Sequence, residues 1–270
     1  MSRIAPSKVL LPLWAVIVFV WIVAPIVVVT IVSFTSAGSF VFPPPGWSLQ
    51  WYENFFQNAK WYNAFWNSLQ TAAIVMVLAT TLGTLAALGL HRSKSRRLVG
   101  GIQSIILLPT VVPAVVAGIG MYSMFLQWRI SGTVLGFVLA HVVLVLPFVV
   151  ISVTSSLQSL DRSLEQAAAS CGATPVTAFM LVTLRIILPG VATGALLAFL
   201  GSFNETLVSL FLASPFQTTL PVQMYSSVAR DSDPTIAAAS ALTSGVTVAL
   251  FLAIVVVLIT RSKKNAVSNA

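Results

Sequence analysis

Asp161–Pro189 reads DRSLEQAAASCGATPVTAFMLVTLRIILP and sits between two strongly apolar runs. Asp161 or Ser163 can cap a short helix, and Ser163 with Gln166 has capping-box spacing. Glu165 suits the positive end of that helix. Gln166-Ala167-Ala168-Ala169-Ser170-Cys171 continues it with small side chains. Gly172 is placed for a left-handed turn at the helix end. Thr174-Pro175 then restarts the chain as cap and first helical residue. Leu181, Val182, Leu184, Ile186, Ile187 and Leu188 lead into the next apolar run. A short helix with one small face fits a groove on another protein. A helix lying on lipid wants larger apolar residues and more Lys or Arg. The stretch therefore reads as a loop on which a partner docks.

The surroundings are apolar. Of 270 residues 57% are hydrophobic and only 7% charged, with a mean hydropathy of +0.97. A soluble domain carries roughly 25% charged residues, so the solvent here is lipid. Six runs are long enough for a bilayer core, which takes ~20 residues per helix. They cover 10–33, 64–90, 101–128, 133–156, 189–213 and 237–260, with a tight hairpin at Gln127–Gly132 between the third and fourth. With the N-terminus inside, the inner segments hold Arg3, Lys8, Arg92, Lys94, Arg96, Arg97, Arg162, Arg185, Arg261, Lys263 and Lys264; the outer ones hold only Lys60, Arg129 and Arg230. This bias predicts both termini in the cytoplasm. It also accounts for the net charge of +8 without a nucleic-acid partner. The first run exceeds a signal-peptide core and is read as a retained span. Residues 1–9 are then a cytoplasmic N-terminus, and 261–270 a polar, disordered tail.

The outer segment Ser33–Asn63 contains Phe42-Pro43-Pro44-Pro45-Gly46, which stops a helix. Trp47, Trp51, Tyr52, Trp61, Tyr62 and Trp66 follow and are expected at the headgroup layer, where they anchor the chain or meet an outside partner. Gly132/Gly136 and Gly190/Gly194 have the spacing that lets membrane helices approach closely. Pro109, Pro113 and Pro147 are expected to kink spans three and four.

Glu205 is the only acid within an expected span. About 15 residues after Gly190, it would stand ~23 Å up that helix. An ionised acid in lipid costs at least ~2.5–3.5 kcal/mol, so it should face water or a neighbouring helix. Two roles stay open, a cation-binding carboxylate on a solute path and a structural hydrogen bond. Asn204 joins it, and Tyr122 and Gln127 are further path candidates. His141 reads as a helix–helix bond. The dipeptide Gly-Lys never occurs, so the chain has no P-loop. One cysteine, Cys171, and two histidines give no metal cluster and no disulfide. No metal or cofactor is expected in this chain.

The loop resembles the EAA loop of bacterial ABC importer permeases, whose pattern is Glu-Ala-Ala, three residues, Gly, nine residues, Ile, one residue, Leu-Pro. With the glycine on Gly172, the triplet falls on Gln166-Ala167-Ala168, the apolar position on Val182 and the final pair on Leu184-Arg185. The glutamate is thus Gln166, with Glu165 one place earlier, and the proline is Arg185, with Pro189 four residues on. The FVFPPPGWSLQWY and GSFNETLVSLFLASPFQTTLPVQMYSSVARDSDPTIAAAS stretches resemble the spermidine/putrescine branch. The resemblance implies an all-α, six-helix type I permease in the bacterial inner membrane, with a coupling loop at 157–188 carrying Glu165, Gln166, Ala167, Ala168, Gly172, Pro175 and Arg185. It implies as partners a cytoplasmic ATPase dimer that binds ATP-Mg, a second, related permease and an extracytoplasmic binding protein. The chain itself is then a transport subunit and not an enzyme. An intramembrane enzyme would need a nucleophile and base on facing helices, which are not found. A non-transporting scaffold would tolerate replacement of Glu205.

Overall fold

The computed structural model describes residues 7–230 and 233–268. Arg3, used above for orientation, and Asp231 and Ser232 lie outside the described residues. Among the described residues every regular element is helical, and extended pairing is confined to one isolated antiparallel bridge, Thr35 with Trp47. The chain divides into two compact units, residues 1–62 with 224–249, and 63–223 with 250–270.

The first unit holds α1 (Ser7–Val32), α2 (Gln50–Gln57), the start of α3 (Ala59–Arg92), the end of α11 (Leu220–Arg230) and the first half of α12 (Thr235–Ser268). The proline-rich stretch is non-helical, as expected; its Gly46 carbonyl accepts the Ser36 amide at 3.0 Å, and the segment before it is held by side chains of α2. Trp51 Nε1 donates to the Thr35 carbonyl at 2.9 Å, and Gln50 Nε2 to that of Ser36 at 3.1 Å. Asn54 Nδ2 donates to Thr235 Oγ1 at 2.7 Å, tying α2 to α12. The aromatics do not all serve as anchors. Trp47 is 71% exposed, but Trp61 is only 2% exposed and packs on buried Phe55. Trp61 is core because α2 folds back over the start of α3. α12 continues helically through Ser268, so residues 261–268 of the expected disordered tail extend the last helix, and the last two lie outside the described residues.

The second unit is organised around α6 (Val134–Leu157), the most buried of the membrane-length helices. α9 (Leu184–Phe203) packs along it, and both Gly190 and Gly194 face it. A β-carbon on Gly190 would come within 2.7 Å of the Ser152 carbonyl, and one on Gly194 within 3.1 Å of Val149 Cα. On α3, Gly83 also meets Val149, where a β-carbon would come within 2.6 Å of Cγ1. Three glycines thus let helices close on α6 with dispersion contact in place of hydrophobic drive. The Gly132/Gly136 pair does something else. Gly132 has φ +73° and builds the hairpin turn beside Ser214, while Gly136 lies against the Ile130 carbonyl of the same turn.

Two spans differ from expectation. Span three is not one kinked helix over 101–128. It is α4 (Arg96–Val111) and α5 (Ala114–Gln127), bent by 104°. Pro113 excludes the helical region for Val112, which is extended at φ −71°, ψ 129°. At 1.5 Å per residue the halves are ~24 Å and ~21 Å long, each short of a ~30 Å core. Span five is helical much earlier than 189–213. Thr174 caps α8 (Pro175–Ala178), a π-helical turn follows over Phe179–Thr183, and α9 ends at Phe203. Pro189 lies inside α9 and does not end it. After a gap at Asn204–Thr206 the chain resumes as α10 (Leu207–Leu212), which packs on α5 through Val208, Leu212 and Phe125.

Candidate functional site

The loop expected to couple is built as its residues dictate. α7 (Arg162–Ser170) begins at Asp161, whose side chain accepts the Ser163 amide at 2.8 Å. Asp161, not Ser163, is therefore the cap, and that bond holds its carboxyl below the ordinary value. α7 closes in a Schellman turn. The Gly172 amide donates to the Ala169 carbonyl at 2.9 Å and that of Ala173 to Ala168 at 3.0 Å, with Gly172 at φ +85°. Thr174 then caps α8, its hydroxyl accepting the Thr177 amide at 3.3 Å.

Gln166, Ala167, Ala169, Ser170, Cys171, Gly172 and Pro175 are exposed, and Ala168 is half-buried. Leu164 and Val176 add apolar surface. Arg185, near the start of α9, is exposed as well. Glu165 points the other way, into its own unit. Its Oε1 accepts from Arg92 Nη2 at 3.2 Å, and the buried Thr183 hydroxyl donates to the same oxygen. Thr183 holds the carboxyl below the usual glutamate range, with Arg92 assisting and partial burial opposing. The acid of the loop is thus engaged by the last residue of α3 and the π turn before α9, while Gln166 faces out. Beneath lies a cavity of about 230 Å³ lined by Leu88, His91, Arg92, Leu157, Leu160, Glu165 and Thr183.

Glu205 is not within a helix. It sits half-buried in the gap between α9 and α10. Asn204, exposed, closes α9 by donating from Nδ2 to the Leu200 carbonyl at 2.9 Å. Glu205 Oε1 accepts the Val208 amide at 2.9 Å and so opens α10. The continuous-helix placement of Glu205 fails because this Asn-Glu pair stops one helix and starts the next. Tyr122, 38% exposed, lies on α5 between Gly118 and Phe125, one turn from each, and both of these meet α10. Gln127 is the exposed last residue of α5. Among the described residues no hydrogen bond joins Glu205, Tyr122 and Gln127 to one another.

His141 makes the helix–helix bond expected of it, and makes it twice. Its Nδ1 lies 2.8 Å from Ser202 Oγ and its Nε2 3.0 Å from Ser209 Oγ, with all three side chains buried. Sequence reading noted Ser202 only as a neighbour of the Asn204-Glu205 pair, and missed Ser209 and the pairing of both serines with His141. A serine in the turn on either side of Asn-Glu-Thr was the available signal.

The comparisons agree with this architecture. Residues 79–264 match the model of the binding-protein-dependent transport system inner membrane component family. The putrescine transport system permease protein PotI of Escherichia coli K12 is 34% identical over 86% of this chain and 86% of its own. The spermidine/putrescine transport system permease protein PotC of Haemophilus influenzae is 30% identical over 92% and 95%. Among solved structures, a bacterial alginate ABC transporter in complex with alginate pentasaccharide-bound periplasmic protein has a chain that superposes with a TM-score of 0.71 at 17% identity, covering 92% of this chain and 93% of that one. The chain belongs to the binding-protein-dependent inner membrane component family, and is a multi-pass inner-membrane permease subunit of an ABC importer whose ATPase is a separate chain.

Proposed function

We propose that this permease moves a polyamine of the spermidine/putrescine class into the cytoplasm by alternating access. Solute arrives on an extracytoplasmic binding protein and enters a passage shared with a second, related permease. The N-terminus, the C-terminus and α7 face the cytoplasm, where α7 with the Gly172 turn docks into a groove on a dimer of ATPase subunits. Those subunits bind ATP-Mg, and their closure moves the loop as a lever. Glu205 offers the carboxylate that a cation requires, and Asn204, Tyr122 and Gln127 line the same path.

The observation that carries the reading is the loop. Its small, exposed face is fixed by a cap at one end and a left-handed turn at the other, while its acid is satisfied internally. Such a face is ready to enter an apolar groove without stranding a charge. The solute class draws on the polyamine permeases among the relatives. One observation favours a second reading. Glu205 Oε1 is already taken by Val208, so the acid can be structural and the solute another small molecule carried by the same machinery.

The test is ATPase activity of the reconstituted complex with its binding protein, with and without spermidine or putrescine, for wild type and Glu205→Gln. Stimulation that fades in the variant supports solute and site together. Stimulation untouched by the variant removes Glu205 from the path. Stimulation only by a different solute overturns the polyamine assignment.

A further inference from the structure

The discontinuity between α9 and α10 is bridged by one side chain. Ser202 belongs to the last turn of α9 and Ser209 to α10, and the His141 ring reaches both from α6. A neutral imidazole has one donor and one acceptor nitrogen, and a serine hydroxyl serves in either role. Both nitrogens are therefore satisfied whichever tautomer is present.

The spacing makes the bridge selective for the gap. In an unbroken helix two residues seven apart are separated by ~10.5 Å along the axis. One imidazole with hydrogen bonds of 2.8 and 3.0 Å falls short of that span. The bridge forms only when the chain between the serines departs from helix, as it does at Asn204–Thr206. In apolar surroundings such a departure is tolerated only where polar partners or a water-filled cavity receive the freed groups. Here the receiving ring is fully buried at 0% exposure and its partners are 4% and 0% exposed. The apolar side of the same joint is Phe137, whose ring packs edge-on to His141 at 5.9 Å.

We propose that His141 is a positioning residue that locks the α9–α10 gap in its broken form, and so fixes where Asn204 and Glu205 present their side chains. Among the described residues its hydrogen bonds go to Ser202 and Ser209 and to none of the path residues. Removing it leaves the chemistry of Glu205 intact but releases its position. The functional consequence rests on the reading of Glu205 as part of the solute path; the structural one does not.

The experiment exploits the single cysteine. In a Cys171→Ser, Thr206→Cys permease, assembled with its ATPase and binding protein in vesicles, the rate of labelling by a membrane-impermeant thiol reagent reports the gap, because Thr206 lies in it and makes no side-chain cap bond to α10. Ser209→Ala, Ser209→Thr and His141→Gln are added in turn, and polyamine uptake is measured in parallel without the Thr206→Cys reporter. Ser209→Ala deletes one hydrogen bond with little change of volume, so it tests the lock even where His141→Gln fails to assemble. The expected result is a labelling rate changed by about 2- to 10-fold, the effect of one hydrogen bond. Ser209→Thr, which keeps the hydroxyl, restores it. KM for uptake moves by a similar factor with kcat per assembled complex held. Labelling unchanged by Ser209→Ala in assembled complex overturns the proposal. Labelling changed with KM unaltered upholds the lock and removes Glu205 from the solute path.

Discussion

Gly172→Ala isolates the turn that shapes the docking loop. Gly172 has φ +85°, and a β-carbon added there meets nothing within 4 Å. The substitution therefore acts through the backbone alone. A left-handed conformation costs an alanine roughly 1–2 kcal/mol, part of which the stiffer unfolded chain returns. The net loss is about 1 kcal/mol, or about fivefold in the ratio of closed to open turn. Helices shorter than ~12–15 residues are marginal by themselves. α7, with nine residues, depends on its two ends, so the loss falls on the docking conformation. Apparent affinity scales with the competent fraction. Titrating solubilised permease with its ATPase should thus show Kd raised, by up to about fivefold, while the permease melts as wild type does. Gly172→Asn, which tolerates the left-handed region better, should fall between. Wild-type affinity for Gly172→Ala would refute the claim that the Schellman turn shapes the docking face. A lowered melting temperature would refute the claim that the cost is confined to it.

Gly190→Ala should behave oppositely, because its β-carbon collides with the Ser152 carbonyl and Ser156 on α6; a loss of about 1–3 kcal/mol is expected in the melting of the permease, with Gly245→Ala, whose β-carbon meets nothing, as the unchanged control. Glu165→Ala should weaken the loop more than Arg92→Ala. The exposed ion pair is worth about 0.2–1 kcal/mol, whereas Glu165→Ala also leaves the buried Thr183 hydroxyl unpaired, at about 1–3 kcal/mol; protease nicking of the loop in the two variants compares them. Glu165 has a folded-state pKa below its unfolded one, so its contribution is full above the unfolded value of about 4.3 and is lost as pH falls through the folded value. Loop protection should accordingly hold from pH 7 to about 5 and decay below, and Glu165→Gln should remove the Glu165 share of that decay and leave the share of the Asp161 cap, whose carboxyl is also held low.

The loop was legible in sequence because its signals are local. A cap, a glycine and a Thr-Pro pair each act within a few residues, and Asp161, Gly172 and Thr174 do what their chemistry dictates. The inward turn of Glu165 was not legible, because its partner Arg92 lies 73 positions away and only packing brings them together. Pro109 and Pro113 announced a bend, but not one of 104°, since a proline forbids helix at its neighbour without saying where the chain goes next. Gly190 and Gly194 were read correctly as a close-approach face. Gly132 and Gly136 share that spacing yet build a turn, and the lone Gly83 carried no pattern at all. The gap at Asn204–Thr206 was hidden inside an apolar run, where hydropathy favours a continuous span and a two-residue stop-and-start signal is easily outweighed.

The docking claim has a native reporter. Cys171 is the only cysteine of the chain, is exposed, and directly precedes Gly172 at the end of α7. Its labelling by a small maleimide should be measured on wild-type permease alone and bound to its ATPase. Labelling that is rapid in the free permease and falls to background in the complex is the predicted result. Labelling equally rapid in both, with the complex shown to be intact, would contradict the account that this loop is where the ATPase engages.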